Sequence, residues 1–173
     1  MFRPPRVTVA FLFAVVVMVP LVRIQDPAQS DLRQWKIAFD SFRSGTQEIY
    51  VMDPDGANQQ RLTRTPGKGE GSWRPCWSPD GTRIAFDSNR EGNWEIYVMD
   101  VEGSNVQRLT HTPGKESGNP AWSPDGKKIA FGSTRDGKSK NWKDNREIYV
   151  MDAHGSNVQR LTFNQAWDAH PYW

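Results

Sequence analysis

At 173 residues the chain has room for one domain of ordinary size, and its formal charge of +2 arises from 22 basic against 20 acidic side chains. Three arginines and a single aspartate fall within residues 1–30, so the remainder is neutral and carries no basic stripe to support nucleic-acid binding. The lone cysteine, Cys76, excludes a disulfide framework within the chain; metal-ligand spacing is absent, and no cofactor or metal is expected.

Residues 1–30 read as a leader. Arg3 and Arg6 precede an apolar run from Val7 to Val22, too short for a membrane-spanning helix but suited to the core of an export signal. Ala28-Gln29-Ser30 offers small residues for cleavage, although Arg23 and Asp26 interrupt the approach. The expected mature part is 31–173, periplasmic or extracellular; the alternative is a membrane anchor retained at residues 7–22.

From Ile37 onward one unit recurs. "IAF" begins at Ile37, Ile84 and Ile129, "EIYVMD" at Glu48, Glu95 and Glu147, and "RLT" at Arg61, Arg108 and Arg160. "WSPDG" begins at Trp77 and Trp122, with Trp173 in the third place. The first two IAF intervals are 47 and 45 residues, and "KSKNWKD" (138–144) is inserted ahead of the third EIYVMD. A period near 45 suits four short strands per unit. SPDG closes one hairpin; Gly56, Gly103 and Gly155 mark a second turn, between EIYVMD and QRLT. Asp80 and Asp125 are therefore turn residues. "DPDG" at 53–56 resembles a calcium loop only faintly, because the later glutamate of such a loop is missing.

The strand EIYVMD determines the architecture. Ile49 and Val51 point to one face and Tyr50 and Met52 to the other, so both faces are apolar and both must be covered. No amphipathic helix lies in 31–173 to cover them, which leaves other copies of the same sheet. Sheets stacked radially in this way form a β-propeller. The expected fold is all-β, with about three four-stranded antiparallel blades at residues 35–63, 73–110 and 119–162 and a closing strand at 169–173. The first blade lacks its "PxW" strand, and "AHPYW" supplies one at the other end. Two chains joined head to tail would close a six-bladed ring as a homodimer; the rival is a partial propeller with an open edge.

"NPAWSPDGKKIAFGSTRDG" and "REIYVMDAHGSNVQRLT" resemble the TolB-type, WD-repeat-like propeller repeat, a likeness covering roughly residues 35–173. The resemblance implies a non-catalytic protein-binding module of the cell envelope, with an envelope protein, lipoprotein-like, as partner. TolB-type proteins carry an N-terminal α/β domain before a six-bladed propeller, and that domain has no counterpart here. Similar repeats build the propellers of prolyl-oligopeptidase-like serine peptidases, which gives the alternative: a substrate-gating propeller without its hydrolase domain.

Little catalytic chemistry is legible. The nucleophile elbow G-x-S-x-G is absent, and His111, His154 and His170 occupy different repeat positions. Trp77, Trp122 and Trp173 recur and are expected to pack between blades. Two places could bind a partner. One is the channel mouth, where Arg74, Asn119 and His170 occupy the loop before each innermost strand, with Ser72, Ser117 and Asp168 two residues earlier. The other is the insertion, where Trp142 stands among lysines.

Overall fold

The computed structural model describes residues 36–67, 69–136 and 145–173; the leader at 1–30 and Trp142 lie outside the described residues. No helix occurs among the described residues, and eleven strands build three antiparallel sheets. Blade one comprises β1 (Ile37–Ser41), β2 (Glu48–Met52) and β3 (Gln60–Arg61). Blade two comprises β4 (Ser72–Trp77), β5 (Arg83–Ser88), β6 (Glu95–Asp100) and β7 (Gln107–Arg108). Blade three comprises β8 (Ser117–Trp122), β9 (Lys128–Ser133), β10 (Glu147–Asp152) and β11 (Gln159–Arg160). Strand order within each sheet follows chain order, so every connection is a hairpin. This is an open segment of a propeller.

The turn chemistry explains the hairpins. In the β4–β5 turn Ser78 Oγ donates to Asp80 Oδ1 at 2.6 Å and the Thr82 amide donates to the same oxygen at 3.1 Å. These bonds hold the Asp80 carboxyl at about 2, well below its usual range. Asp125 repeats the arrangement with Ser123 and Lys127. Asn58, Asn105 and Asn157 adopt positive φ in the second turn, where each side-chain amide donates to the aspartate that ends EIYVMD.

Blades stack through the two apolar faces of EIYVMD. Ile49, Val51 and Leu62, on the front of blade one, pack against Ile84, Phe86, Tyr97 and Met99 on the back of blade two, with Trp77 beside them. Ile96, Val98 and Leu109 repeat this against Ile129, Phe131, Tyr149 and Met151, with Trp122 in the core. On the back of each blade an arginine caps a stacked Phe–Tyr pair: Arg43 on Phe39 and Tyr50, Arg90 on Phe86 and Tyr97, Arg135 on Phe131 and Tyr149.

At the ends of the stack the same positions stand uncovered. Ile37 is 42% exposed where Ile84 and Ile129 are 0%, and Leu161 is 49% exposed where Leu62 and Leu109 are 8%. The pairing of residues 169–173 beside Lys36–Ser41 is not formed within the chain. Among the described residues β1 pairs only with β2, and 169–173 belong to no strand. Trp173 instead donates from Nε1 to the Ala121 carbonyl at 3.0 Å, alongside the innermost strand of blade three.

Candidate site at the channel mouth

Arg74, Asn119 and His170 share one backbone state, with φ of 52°, 58° and 56°. Each precedes a proline, which has no N–H to give to a ladder. In β4 the register with β5 slips between Trp73 and Cys76, and in β8 the register with β9 slips between Gly118 and Ala121. Two residues thus oppose one, a β-bulge that turns the side chain out of the ladder. The sequence reading had Arg74 and Asn119 in the loop ahead of the innermost strand; they lie inside that strand, at its bulge. His170 keeps the same backbone conformation without a sheet around it.

The three residues converge. Together with Cys76, Trp122 and Tyr172 they line a groove of about 550 Å³ along the inner edges of the blades. Arg74 and His170 are exposed, while Asn119 is buried and its Oδ1 has no hydrogen-bond partner. Burial pushes the Cys76 thiol up, so it stays protonated and unreactive. The residues two positions earlier behave differently. Ser72 and Ser117 are fully buried, bonded to Ser88 and Ser133 within their own sheets. Their amides donate to the carbonyls of Gln47 and Trp94 in the preceding blade, and Asp168 repeats this on Arg146 at 2.8 Å. These three dock one blade on the next and present little to a partner.

Arg74 also borders a second, polar cavity of about 250 Å³ between blades two and three. Its floor is Asp87, 1% exposed, whose Oδ2 accepts from Arg74 Nη1 at 2.6 Å and whose Oδ1 is unpartnered. Burial raises the Asp87 carboxyl to about 6 although Arg74 opposes the shift; Arg74 is half exposed, and solvent weakens its pull. Arg146, 7% exposed, forms the far wall with Trp167 near its guanidinium, and Trp73 and Trp94 meet edge-on at 4.5 Å on the near side.

The sequence reading passed over the buried glutamates that begin each EIYVMD. Glu95 is 0% exposed and accepts from Arg108 Nη2 at 2.8 Å, from Thr110 Oγ1 and from the amide and hydroxyl of Thr112. Glu48 does the same with Arg61, Thr63 and Thr65, and Glu147 with Arg160, Thr162 and the Asn164 amide. Burial works against ionisation, yet these donors hold Glu48 and Glu95 below the usual carboxylate range. The signal was present as a fixed spacing: arginine 13 residues after the glutamate and threonine 15 after it, in all three copies. No group of three His, Cys, Asp or Glu side chains suited to a metal ion occurs among the described residues.

A sequence model of the TolB beta propeller domain matches residues 26–173. The fold is similar to a protein of Agrobacterium tumefaciens assigned as TolB, at 32% identity, TM-score 0.62, 72% of this chain and 44% of that one. It is also similar to TolB of Acinetobacter baumannii, at 24% identity, TM-score 0.62, 79% of this chain and 33% of that one. A puromycin-hydrolysing peptidase of Mycobacterium tuberculosis shares the fold at 18% identity, TM-score 0.55, 73% of this chain and 19% of that one. The chain spans less than half the length of each of these structures. No protein of curated function matches the sequence.

Proposed function

Because the chain belongs to the family of TolB β-propeller domains, we propose that it is an exported, non-catalytic scaffold of the cell envelope that docks another envelope protein at its channel mouth. The observation that carries this reading is the repeated positive-φ step before a proline, set in a bulge at Arg74 and Asn119 and outside any strand at His170. One rigid backbone device, a positive-φ residue held ahead of a proline, presents an arginine, an asparagine and a histidine to the same groove. A constant frame with varied side chains suits recognition of a particular surface. The reading is tested by placing a photo-crosslinking residue at His170 in cells, with Asp80 as the control on a β4–β5 turn away from the mouth. A discrete adduct from position 170 and none from position 80 is expected; none from either would defeat it. Cell fractionation, with sequencing of the mature N-terminus, tests export and cleavage near residue 30.

A second copy of the chain is the other partner we propose. Within the chain Arg90 and Arg135 sit close enough to the buried Glu48 and Glu95 of the preceding blade to feel their charge. Arg43 on blade one is exposed, and Glu147 on blade three has no following blade among the described residues. The front of blade three and the back of blade one therefore carry the two halves of an interface already formed twice.

The runner-up is a substrate-gating propeller working with a serine peptidase. It predicts co-purification of a protein that reacts with a fluorophosphonate probe, and failure to find one removes it.

A further inference from the structure

We infer that the cavity between blades two and three is a receptor for a carboxylate, presented by an acidic side chain of the docked protein. The identity of the carrier rests on the docking reading above; the chemistry rests on the cavity.

The argument starts from corresponding positions. The residue three after the first isoleucine of each IAF strand is Asp40, Asp87 and Gly132, and the residue before each buried glutamate is Gln47, Trp94 and Arg146. Blade one matches acid to amide: Gln47 Nε2 donates to Asp40 Oδ2, and the Arg74 amide donates to Asp40 Oδ1 at 3.2 Å. Blade two pairs one oxygen of its acid, Asp87 Oδ2, with Arg74. In blade three the acid is gone and a cation stands where the amide was.

That cation is buried without an ion pair among the described residues. Arg146 Nη2 donates to the Gly132 carbonyl at 3.1 Å, but Nε has no acceptor. A buried guanidinium with an idle N–H is costly, and burial lowers its affinity for its proton. Two glycines make the space it occupies. A Cβ on Gly132 would lie 2.5 Å from Arg146 Nε, and one on Gly118 would lie 2.9 Å from Nη2. The fold thus spends two side chains to hold an unsatisfied cation at the edge of a cavity.

The cavity's other groups narrow the ligand. Glu116 and Asp87 also line it and balance Arg74 and Arg146, so a dianion such as phosphate meets two like charges with both of its own, whereas a carboxylate brings only one. A carboxylate matches a guanidinium edge in plane and spacing. About 250 Å³ falls below the range of small-molecule sites and suits the end of one side chain, with Trp73 and Trp94 as an apolar wall.

The test is a titration of the purified chain followed by NMR of the arginine Nε–H signals. The probes are acetyl-Gly-Glu-Gly-amide, its glutamine counterpart and acetate. The glutamate peptide is expected to shift the Arg146 signal saturably, the glutamine peptide to leave it in place, and acetate to bind more weakly than the peptide. Glu116→Gln should tighten glutamate-peptide binding several-fold by removing a competing charge. The double variant Gly132→Asp with Arg146→Gln rebuilds the acid–amide pair of blade one, so it should keep the fold while binding at least tenfold more weakly. Equal responses to the glutamate and glutamine peptides, or full binding by the double variant, would overturn the receptor. Acetate binding as tightly as the peptide would overturn the protein-borne source. Loss of the His170 crosslink with this titration intact would overturn only the docking partner.

Discussion

Single carboxylates give this protein opposing pH responses. Glu95 is ionised, buried and held by five donors, so Glu95→Ala strips Asn93, Arg108 and two threonines of their acceptor and should cost about 3 kcal/mol in urea unfolding. With Glu48 and Glu95 depressed below their unfolded values, their contribution is present above the ordinary carboxylate range and is lost as pH falls below it. Asp87 works in the other sense. Its folded value of about 6 lies above the unfolded one, so the fold holds that proton more tightly, and stability falls as pH rises from about 4 to about 6. Melting temperatures between about pH 3 and about pH 8 should show a maximum on the acid side of pH 6, and Asp87→Asn should flatten its descending limb. An unchanged limb in that variant would assign the slope to another group. None of this was legible residue by residue, because a glutamate opening a strand reads as a solvent-facing end until its partners 13 and 15 residues on are folded over it.

At the scale of the strand and turn, identical sequence does not mean identical cost. Gly56, Gly103 and Gly155 hold the same turn with φ near 90°, where any L side chain is strained by about 1 kcal/mol. A Cβ on Gly103 would also meet the Leu62 carbonyl of the preceding blade at 2.9 Å, and one on Gly155 the Leu109 carbonyl at 2.9 Å, while Gly56 has open space. In the isolated chain Gly103→Ala and Gly155→Ala should therefore destabilise at least about twice as much as Gly56→Ala, as chemical denaturation would reveal. Three equal costs would mean that a blade lies over Gly56 in solution. Turn type, strand order and the two-faced EIYVMD strand were all readable from the repeat. The bulge at Arg74 and Asn119 was not: proline marks the interruption, but only pairing against β5 and β9 shows that the strand continues through it.

For the whole molecule the unresolved balance lies at the two ends of the stack. Apolar positions that are sealed between blades stand 42% and 49% exposed at Ile37 and Leu161, with Phe163, Tyr172 and Trp173 close to the latter in sequence and also exposed. Such a surface favours association. Light scattering on residues 31–173 should give twice the chain mass, and a clean monomer would remove the second copy. In that dimer Gly56→Ala should weaken association, since the partner's third blade would bring its Leu161 carbonyl to the place Leu62 takes over Gly103. If residues 168–173 complete a partner's first blade, deleting them should likewise cost the assembly; lost stability at unaltered mass would mean that they serve only β8, where Trp173 bonds Ala121.

Local chemistry decided what could be read in advance. Alternation with period two, SPDG turns and a repeat near 45 residues are short-range patterns, and they sufficed for all-β blades and the TolB likeness. Which polar side chains meet is decided between strands and between blades, over separations that sequence spacing does not encode. Arg146 illustrates the limit: as one letter before EIYVMD it is an ordinary basic residue. Only the packing of blade two on blade three, with Gly118 and Gly132 opening the space, makes it a buried cation whose Nε–H meets no acceptor.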